Sequence, residues 1–231
     1  MNYNCFVEIP ARGGSKGVPR KALQILGGRP LISYTITDAL AIEGVTKVYV
    51  NTDDPEIQEV SLEYCAEVPF LRPAELAQDD SRLEDASRYA RDWYRMNENF
   101  IPDIEIVMSP THPFRRPTLM NGAVKHGLTN QEAFNLGSIA PAVMMTDNFW
   151  IKDGGLLHRF SFKTSFHSAN RVLYQSAFSF NIVFNYRSNL KNRRIPVLLN
   201  EIESIDIDEP KDLELARAVI AEGLYPFNES N

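Results

Sequence analysis

The stretch IPARGGSKGVPRK, Ile9–Lys21, decides how this chain is read. It continues an apolar run, NCFVEI (Asn4–Ile9), that reads as a buried strand. Arg12, Lys16, Arg20 and Lys21 fall within it and no acidic residue does, although the whole chain carries a formal net charge of -6. Gly13, Gly14 and Gly17 let the backbone approach an anion closely. A glycine-rich turn after the first strand of an α/β sheet points N–H groups at whatever occupies the carboxyl edge, and cations beside it add charge where phosphates would sit. Those are the requirements of a nucleoside triphosphate site. Two common phosphate loops are excluded. A Walker loop needs Gly-Lys followed by Ser or Thr, and a dinucleotide loop needs G-x-G-x-x-G opening a helix. Here the order is G-G-x-x-G, with Pro19 close behind. A basic solvated loop with structural glycines is the plainer alternative.

Outward from the loop, apolar runs alternate with amphipathic segments. Pro30 opens PLISYTITDALAI, where Ile32, Ile36 and Leu40 recur at helical spacing. KVYVNT (Lys47–Thr52) reads as a strand, and Asp54 before Pro55 marks a helix start, with the helix running to about Cys65. Ala66–Leu71 is short and extended. Leu83, Ala86, Ala90 and Trp93 share a helical face. Ile104–Ser109 reads as a strand, Pro117 to Leu128 as a helix, and NLGSIAPAV as a strand. FSFNIVFNY (Phe178–Tyr186) and RIPVLL (Arg194–Leu199) are two more strands, before a last helix from Glu209-Pro210 to Gly223. This alternation predicts an α/β fold with a mostly parallel sheet covered by helices on both faces. The pattern weakens between about Met144 and Gln175, which is rich in Asn, Ser, His, Phe and basic residues. Its aromatic content argues for an insertion with extended, hairpin-like parts rather than a linker.

The chain has 231 residues, 44% hydrophobic and 23% charged, enough for a single domain over 1–231 with a real core and an insertion. The acidic balance argues against nucleic-acid or membrane-surface binding and suits a local basic loop that takes a small anion. No stretch approaches the roughly 18 apolar residues of a membrane span. The opening MNYNCFVEIPARGG lacks a basic leader followed by a long apolar run, so a cytoplasmic location is expected. Cys5 and Cys65 are the two cysteines, far apart and in no metal spacing. Both are read as small hydrophobes in or near the core, with no disulfide and no zinc site.

IPARGGSKGVPRK followed by LGGRPLISYTI resembles the acylneuraminate cytidylyltransferases, the CMP-sialic acid synthetase family. The resemblance continues in order. NTDD (Asn51–Asp54) is similar to the family's STDD, and EVPFLRPAELAQD (Glu67–Asp79) matches nearly throughout. SPTHPFR (Ser109–Arg115) resembles QPTSPLR, and SIDIDEPKDLELA (Ser204–Ala216) resembles SVDIDTPEDFELA. Coverage is good from about Cys5 to Arg116 and from Glu203 to Glu222, and weak between. The resemblance implies a Rossmann-like nucleotidyltransferase fold and transfer of CMP from CTP to a nonulosonic, sialic-acid-like acid, with pyrophosphate released and Mg2+ as cofactor. It also implies a homodimer whose subunits extend arms over each other's sites. Residues 144–175 would supply that arm or dimerisation segment.

Displacement at the α-phosphorus of CTP depends on positioning and charge neutralisation. Charge and resemblance together place Arg12, Lys16 and Lys21 on the triphosphate, with Lys21 nearest the α-phosphate. Ala11, Ser15 and the amides of Gly13 and Gly14 complete that cradle, while Arg20 is read as a solvated surface cation. By resemblance, Arg72 reads the cytosine ring, with Asp79 and Ser81 on the same nucleotide loop. The alternative for Arg72 is a surface ion pair with Glu75. Asp206 and Asp208, two apart at a strand end, are able to face one side and hold Mg2+, although Asp208 also stands where it would cap the last helix. Asp54 is assigned to helix capping. The resemblance implies that Ser109, Thr111, His112, Arg171 and Tyr174 face the sugar.

Departures from the family pattern cluster around the acceptor and the base. Ala22 stands where the family commonly has asparagine, Ser109 where it has glutamine, and His112 where it has serine. SRLED replaces the serine-rich run after Asp79, and ANRVLYQSAFSFNIVF (Ala169–Phe184) lacks the family's Asn-Gly pair. A hydrogen-bonding pocket does not exchange such groups without changing what it accepts. An acceptor other than N-acetylneuraminate is therefore expected, such as a legionaminate-like or pseudaminate-like acid. The alternatives are a homologue acting on a different acidic acceptor and a catalytically degenerate nucleotide-binding protein. A nicotinamide-dependent oxidoreductase is disfavoured by the loop pattern.

Overall fold

The computed structural model describes residues 3–130, 134–141, 149–153, 156–160, 173–184 and 193–225. In chain order the elements are β1 (Cys5–Pro10), β2 (Ile25–Leu26), β3 (Arg29–Pro30), α1 (Leu31–Leu40), β4 (Val45–Asn51), α2 (Pro55–Glu63), α3 (Leu83–Glu98), β5 (Ile104–Met108), α4 (Pro117–Asn130), β6 (Phe134–Pro141), β7 (Phe149–Asp153), β8 (Leu156–Phe160), β9 (Leu173–Phe184), β10 (Arg193–Leu198) and α5 (Pro210–Ala221). Single 3-10 turns occupy Lys21–Leu23 and Ala74–Leu76.

The principal sheet runs β10-β6-β9-β5-β1-β4. β1 pairs in parallel with β4 and with β5, and β10 in parallel with β6. β9 lies between β5 and β6 and is antiparallel to both, so five of the six strands share a direction. The mostly parallel sheet expected from the alternation is present, with one reversed strand inside it. β9 is twelve residues long. Phe180–Phe184 pairs with β5, whereas Leu173–Gln175 pairs with β7, which in turn pairs with β8. The stretch 144–175 therefore contains an antiparallel strand pair, β7–β8, carried on the end of β9 that extends past β5. Within 144–175, residues 144–148, 154–155 and 161–172 lie outside the described residues.

β1 is buried on both faces, as a central parallel strand must be. Cys5, Val7 and Ile9 pack with Ile32 and Ile36 of α1. Phe6 packs on the other face with Tyr49, Ala90, Tyr94 and Phe100. On α3 the buried face is Ala86, Ser87, Ala90 and Tyr94, so Tyr94 takes the central place that the periodicity assigns to Trp93. A third cluster joins Val18, Leu26, Leu31, Tyr34, Phe114, Ile207, Leu213 and Ala216. It docks α5 and the β2–β3 ribbon against the basic loop.

Cys5 is buried, and burial pushes its thiol up to about 12. Cys65 corrects the expectation of two core cysteines, because it is exposed. It follows the C-cap of α2 with φ 67°, and this left-handed turn carries its side chain outward.

Candidate active site

The basic loop forms one wall of a cleft of about 470 Å3 at the carboxyl end of β1, lined by Ala11, Arg12, Ser15, Lys16, Lys21 and Ala22. Pro110, Thr111, Asp208 and Glu209 form the opposite wall. Three of the sequence-assigned cations thus converge on one space. The chain's own carboxylates balance them. Asp79 bridges Arg12 at 2.9 Å and Lys16 at 2.8 Å, and Lys21 Nζ lies 2.7 Å from Asp208 Oδ1. The Lys16 and Arg12 contacts hold the exposed Asp79 carboxyl below its ordinary range. Arg20 lines neither this cleft nor its neighbour. Its backbone is left-handed at φ 50° and its guanidinium ties the loop to Asp54 and Glu56 of the α2 start.

Close approach explains two glycines. A Cβ on Gly17 would stand 2.0 Å from the Asp208 carbonyl, and one on Gly13 2.6 Å from Asp54 Oδ2. The Gly13 N–H donates to Asp53 Oδ1 at 3.0 Å rather than pointing unpaired into the cleft. Asp54 caps α2 as expected, accepting from the amides of Glu56 and Ile57. Neither Gly13 nor Gly14 lines the cleft, whereas Ser15 and Gly17 do.

A second pocket of about 310 Å3 continues past Arg12 and is lined by Arg72, Leu76, Gln78, Asp79 and Ser81. Arg72 is 8% exposed. Its partner is Asn51, not Glu75: Nε donates to Asn51 Oδ1 at 2.7 Å and Nη2 donates to the Asn51 carbonyl. The Ser81 hydroxyl donates to the Glu75 carbonyl at 2.9 Å.

On the far wall Thr111 donates to Asp206 Oδ1 and lies 2.9 Å from the Ser109 hydroxyl. His112 is 2% exposed, with Nδ1 3.5 Å from Asp206 Oδ1. Burial, with Arg115 adding, pushes it down to about 3, so it is neutral. Thr111 lines the cleft; Ser109 and His112 do not. Tyr174 lies on β9 opposite Pro141 of β6 and Trp150 of β7, and Arg171 lies outside the described residues.

Asp206 and Asp208 sit on the extended segment entering α5. The helix is capped by Glu209 in a capping box with Asp212, so Asp208 does not cap it. Thr111 occupies Oδ1 of Asp206 and Lys21 occupies Oδ1 of Asp208, while neither Oδ2 has a partner among the described residues. Burial pushes the Asp206 carboxyl up, opposed by the Thr111 bond and reinforced by Asp208. Two hard carboxylates beside a phosphate-sized cleft suit Mg2+, which takes one or two carboxylates and fills its shell with phosphate oxygens and water. No group of three ligating side chains occurs among the described residues.

The sequence reading missed the layer beneath the site. Glu8 is buried and accepts from Asn51 Nδ2 at 2.6 Å. Arg115, 2% exposed, donates to Thr35 Oγ1 at 3.1 Å, to the Ser179 carbonyl at 2.9 Å and to the Ser109 carbonyl. Arg116 grips the buried Glu203 through two bonds of 2.7 and 2.9 Å, fixing the turn before Asp206. A lone glutamate inside the apolar run of β1 was the one available signal for this layer.

A cation-lined cleft at the carboxyl edge of this sheet, with a second pocket beside it, is the arrangement a nucleotidyltransferase requires. The chain belongs to the Cytidylyltransferase family, whose profile matches residues 7–219. It is 30% identical over 224 residues to the CMP-N,N'-diacetyllegionaminic acid synthase of Legionella pneumophila, covering 92% of this chain and 94% of that protein. It is 30% identical over 155 residues to a pseudaminic acid cytidylyltransferase of Campylobacter jejuni, covering 67% of this chain and 66% of that one. An Escherichia coli N-acylneuraminate cytidylyltransferase is 29% identical over 226 residues, which is 94% of this chain and 52% of the relative. In fold, the chain is similar to CMP:2-keto-3-deoxy-manno-octonic acid synthetase complexed with CTP, at TM-score 0.72 and 18% identity, covering 95% and 99% of the two chains.

Proposed function

We propose that this cytidylyltransferase transfers CMP from CTP to a nonulosonic acid of the legionaminate or pseudaminate type and releases pyrophosphate. The convergence of Arg12, Lys16 and Lys21 on one cleft carries the reading, with Asp208 opposite and the Arg72 pocket alongside. The Legionella relative, aligned over nearly the whole of both chains, supports the acceptor class. The triphosphate would take the cleft and displace Asp79 from Arg12 and Lys16, exchanging a solvated ion pair for charge-assisted phosphate bonds. Lys21, held at 12% side-chain exposure, would neutralise charge on the α-phosphate. The acceptor hydroxyl gives up its proton to solvent as its oxygen bonds to phosphorus, and the bond to pyrophosphate breaks. The cytosine ring would enter the pocket lined by Arg72, Gln78 and Ser81.

Asp206 and Asp208 would hold Mg2+, which would supply Lewis acidity to the phosphoryl transfer. Thr111 and Lys21 orient the two carboxylates. A homodimer built on the β7–β8 extension of β9 belongs to the same reading, and light scattering of the purified chain tests it. So does a cytoplasmic location, where CTP is supplied; no helix among the described residues is long and apolar enough to cross a membrane.

The test is pyrophosphate release from CTP with Mg2+ against a panel of nonulosonic acids, beside ATP, GTP and UTP. Release with CTP and a legionaminate or pseudaminate in preference to N-acetylneuraminate is expected. Best turnover with N-acetylneuraminate would overturn the acceptor assignment. CTP binding without turnover on any acceptor would favour a degenerate nucleotide-binding protein.

A further inference from the structure

Arg72 lines the second pocket with one nitrogen uncommitted. Nε and Nη2 are both held by Asn51, and Nη1 has no partner among the described residues. Which donor the pocket receives therefore depends on how Asn51 is held. An asparagine side chain presents an oxygen on one side and an NH2 on the other, and its orientation is set by its neighbours. Here the Asn51 amide has two neighbours with opposite demands. Arg72 is a donor and needs the oxygen. Glu8 accepts the Nδ2 donor at 2.6 Å and needs the NH2. Flipping the amide would place NH2 against the guanidinium and oxygen against the carboxylate, breaking both bonds.

Glu8 is itself held for this task. It is 3% exposed on the face of β1 that meets α3. Ser87, buried on α3, together with Arg72 and Arg91, lies near enough to favour its charge. Burial alone pushes that carboxyl up, and these bonds and charges oppose it. A carboxyl group in a strand core costs stability unless its partners are all supplied. Core packing would be served as well by an apolar residue here, as Cys5, Val7 and Ile9 show on the opposite face.

We propose that Glu8 is a specificity-determining positioning residue that acts through Asn51 to aim Arg72 into the nucleobase pocket. Glu8 does not touch the nucleotide. It fixes the Asn51 amide, the amide fixes two nitrogens of the guanidinium, and the third is left to donate to the base edge, at the ring nitrogen N3 that accepts in cytosine but carries a proton in uracil. The inference rests on the nucleotide reading above and extends it one shell inward, to the interface between β1, β4 and α3.

The test uses the full chain and compares initial rates with CTP and UTP at a fixed acceptor, with thermal melts to verify folding. Glu8→Leu removes the acceptor while keeping the volume. KM for CTP is expected to rise about tenfold or more, with kcat at saturating CTP and the acceptor KM unchanged within about twofold. The CTP/UTP preference should narrow by a similar factor. Glu8→Gln keeps an acceptor oxygen for Asn51 and should recover most of the loss. In an Arg72→Ala background, Glu8→Leu should add nothing to KM, because the two act on one chain of bonds. Unchanged CTP KM in folded Glu8→Leu, equal losses for CTP and acceptor, or additive effects with Arg72→Ala would each overturn the proposal. Failure of the wild-type chain to bind CTP would instead sink the nucleotide reading itself, so the two failures are distinct.

Discussion

Lys21 and Asp208 meet at 2.7 Å from positions 187 residues apart. Lys21 stands first in a 3-10 turn, immediately after a left-handed Arg20, so its Nζ enters the cleft in a fixed direction. On the proposed reading, removing it would leave the charge developing on phosphorus without that cation. Lys21→Ala is expected to lower kcat for pyrophosphate release by about 10²–10³, the range seen when one preorganised charge-stabilising donor is lost. A fall of less than threefold would move the α-phosphate role to Arg12 or Lys16. Cys65 makes a different point. At φ 67° a non-glycine residue is strained, and nothing in the core depends on its exposed side chain. Cys65→Gly should raise stability by about 1 kcal/mol, read as a higher urea midpoint with unchanged slope.

The element that shapes the site is the loop between β1 and the Lys21–Leu23 turn. Its three glycines look alike in sequence but meet different surroundings. Gly17 lies against the Asp208 backbone carbonyl, which has no soft side chain to yield, whereas a Cβ on Gly14 meets open space. Gly17→Ala should therefore push the loop off the segment entering α5 and raise the CTP KM at least about tenfold. Gly14→Ala should leave it within about twofold. Equal effects would show that the loop is held by something other than this approach. The start of α2 was legible from Asp54-Pro55 alone, because a cap and an N1 proline are local signals. Asp54→Ala is expected to cost about 1 kcal/mol in chemical denaturation.

At the scale of the whole molecule, Arg115 joins α1, the end of β5 and β9 through buried bonds. Its counter-ion, Asp38 of α1, lies 3.7 Å away with Oδ2 lacking a hydrogen-bond partner, and burial pushes that carboxyl up to about 7 against the opposing charge of Arg115 and Arg29. Tyr225 from the chain after α5 adds to the same environment. The folded state therefore binds this proton more tightly than the unfolded chain, whose aspartate titrates near about 3.9. The contribution of Asp38 is most favourable below that pH and is lost as pH rises through about 7. The melting temperature of Asp38→Asn minus that of wild type should climb from pH 4 to 7 and level above it. A difference independent of pH would mean that Asp38 is ionised throughout this range.

By itself the sequence determined the cap of α2, the basic loop, the closing pair of aspartates and the main succession of strands and helices, though not the β2–β3 ribbon. Each is written in short-range terms: side-chain period, capping chemistry, glycine and charge density. It also carried the family, because the ordered motifs survive in chain order. Only the tertiary structure decided that β9 runs antiparallel between β5 and β6, since a strand buried on both faces has the same apolar run in either direction. The partners of Arg72, Asp79 and Arg115 were likewise beyond local reading. Asn51 turns Arg72 from a surface ion pair into a buried donor, and Asp79 closes on Arg12 and Lys16 across the loop. These contacts join residues far apart in the chain, and their free energies arise from desolvation and geometry that exist only once the sheet has assembled.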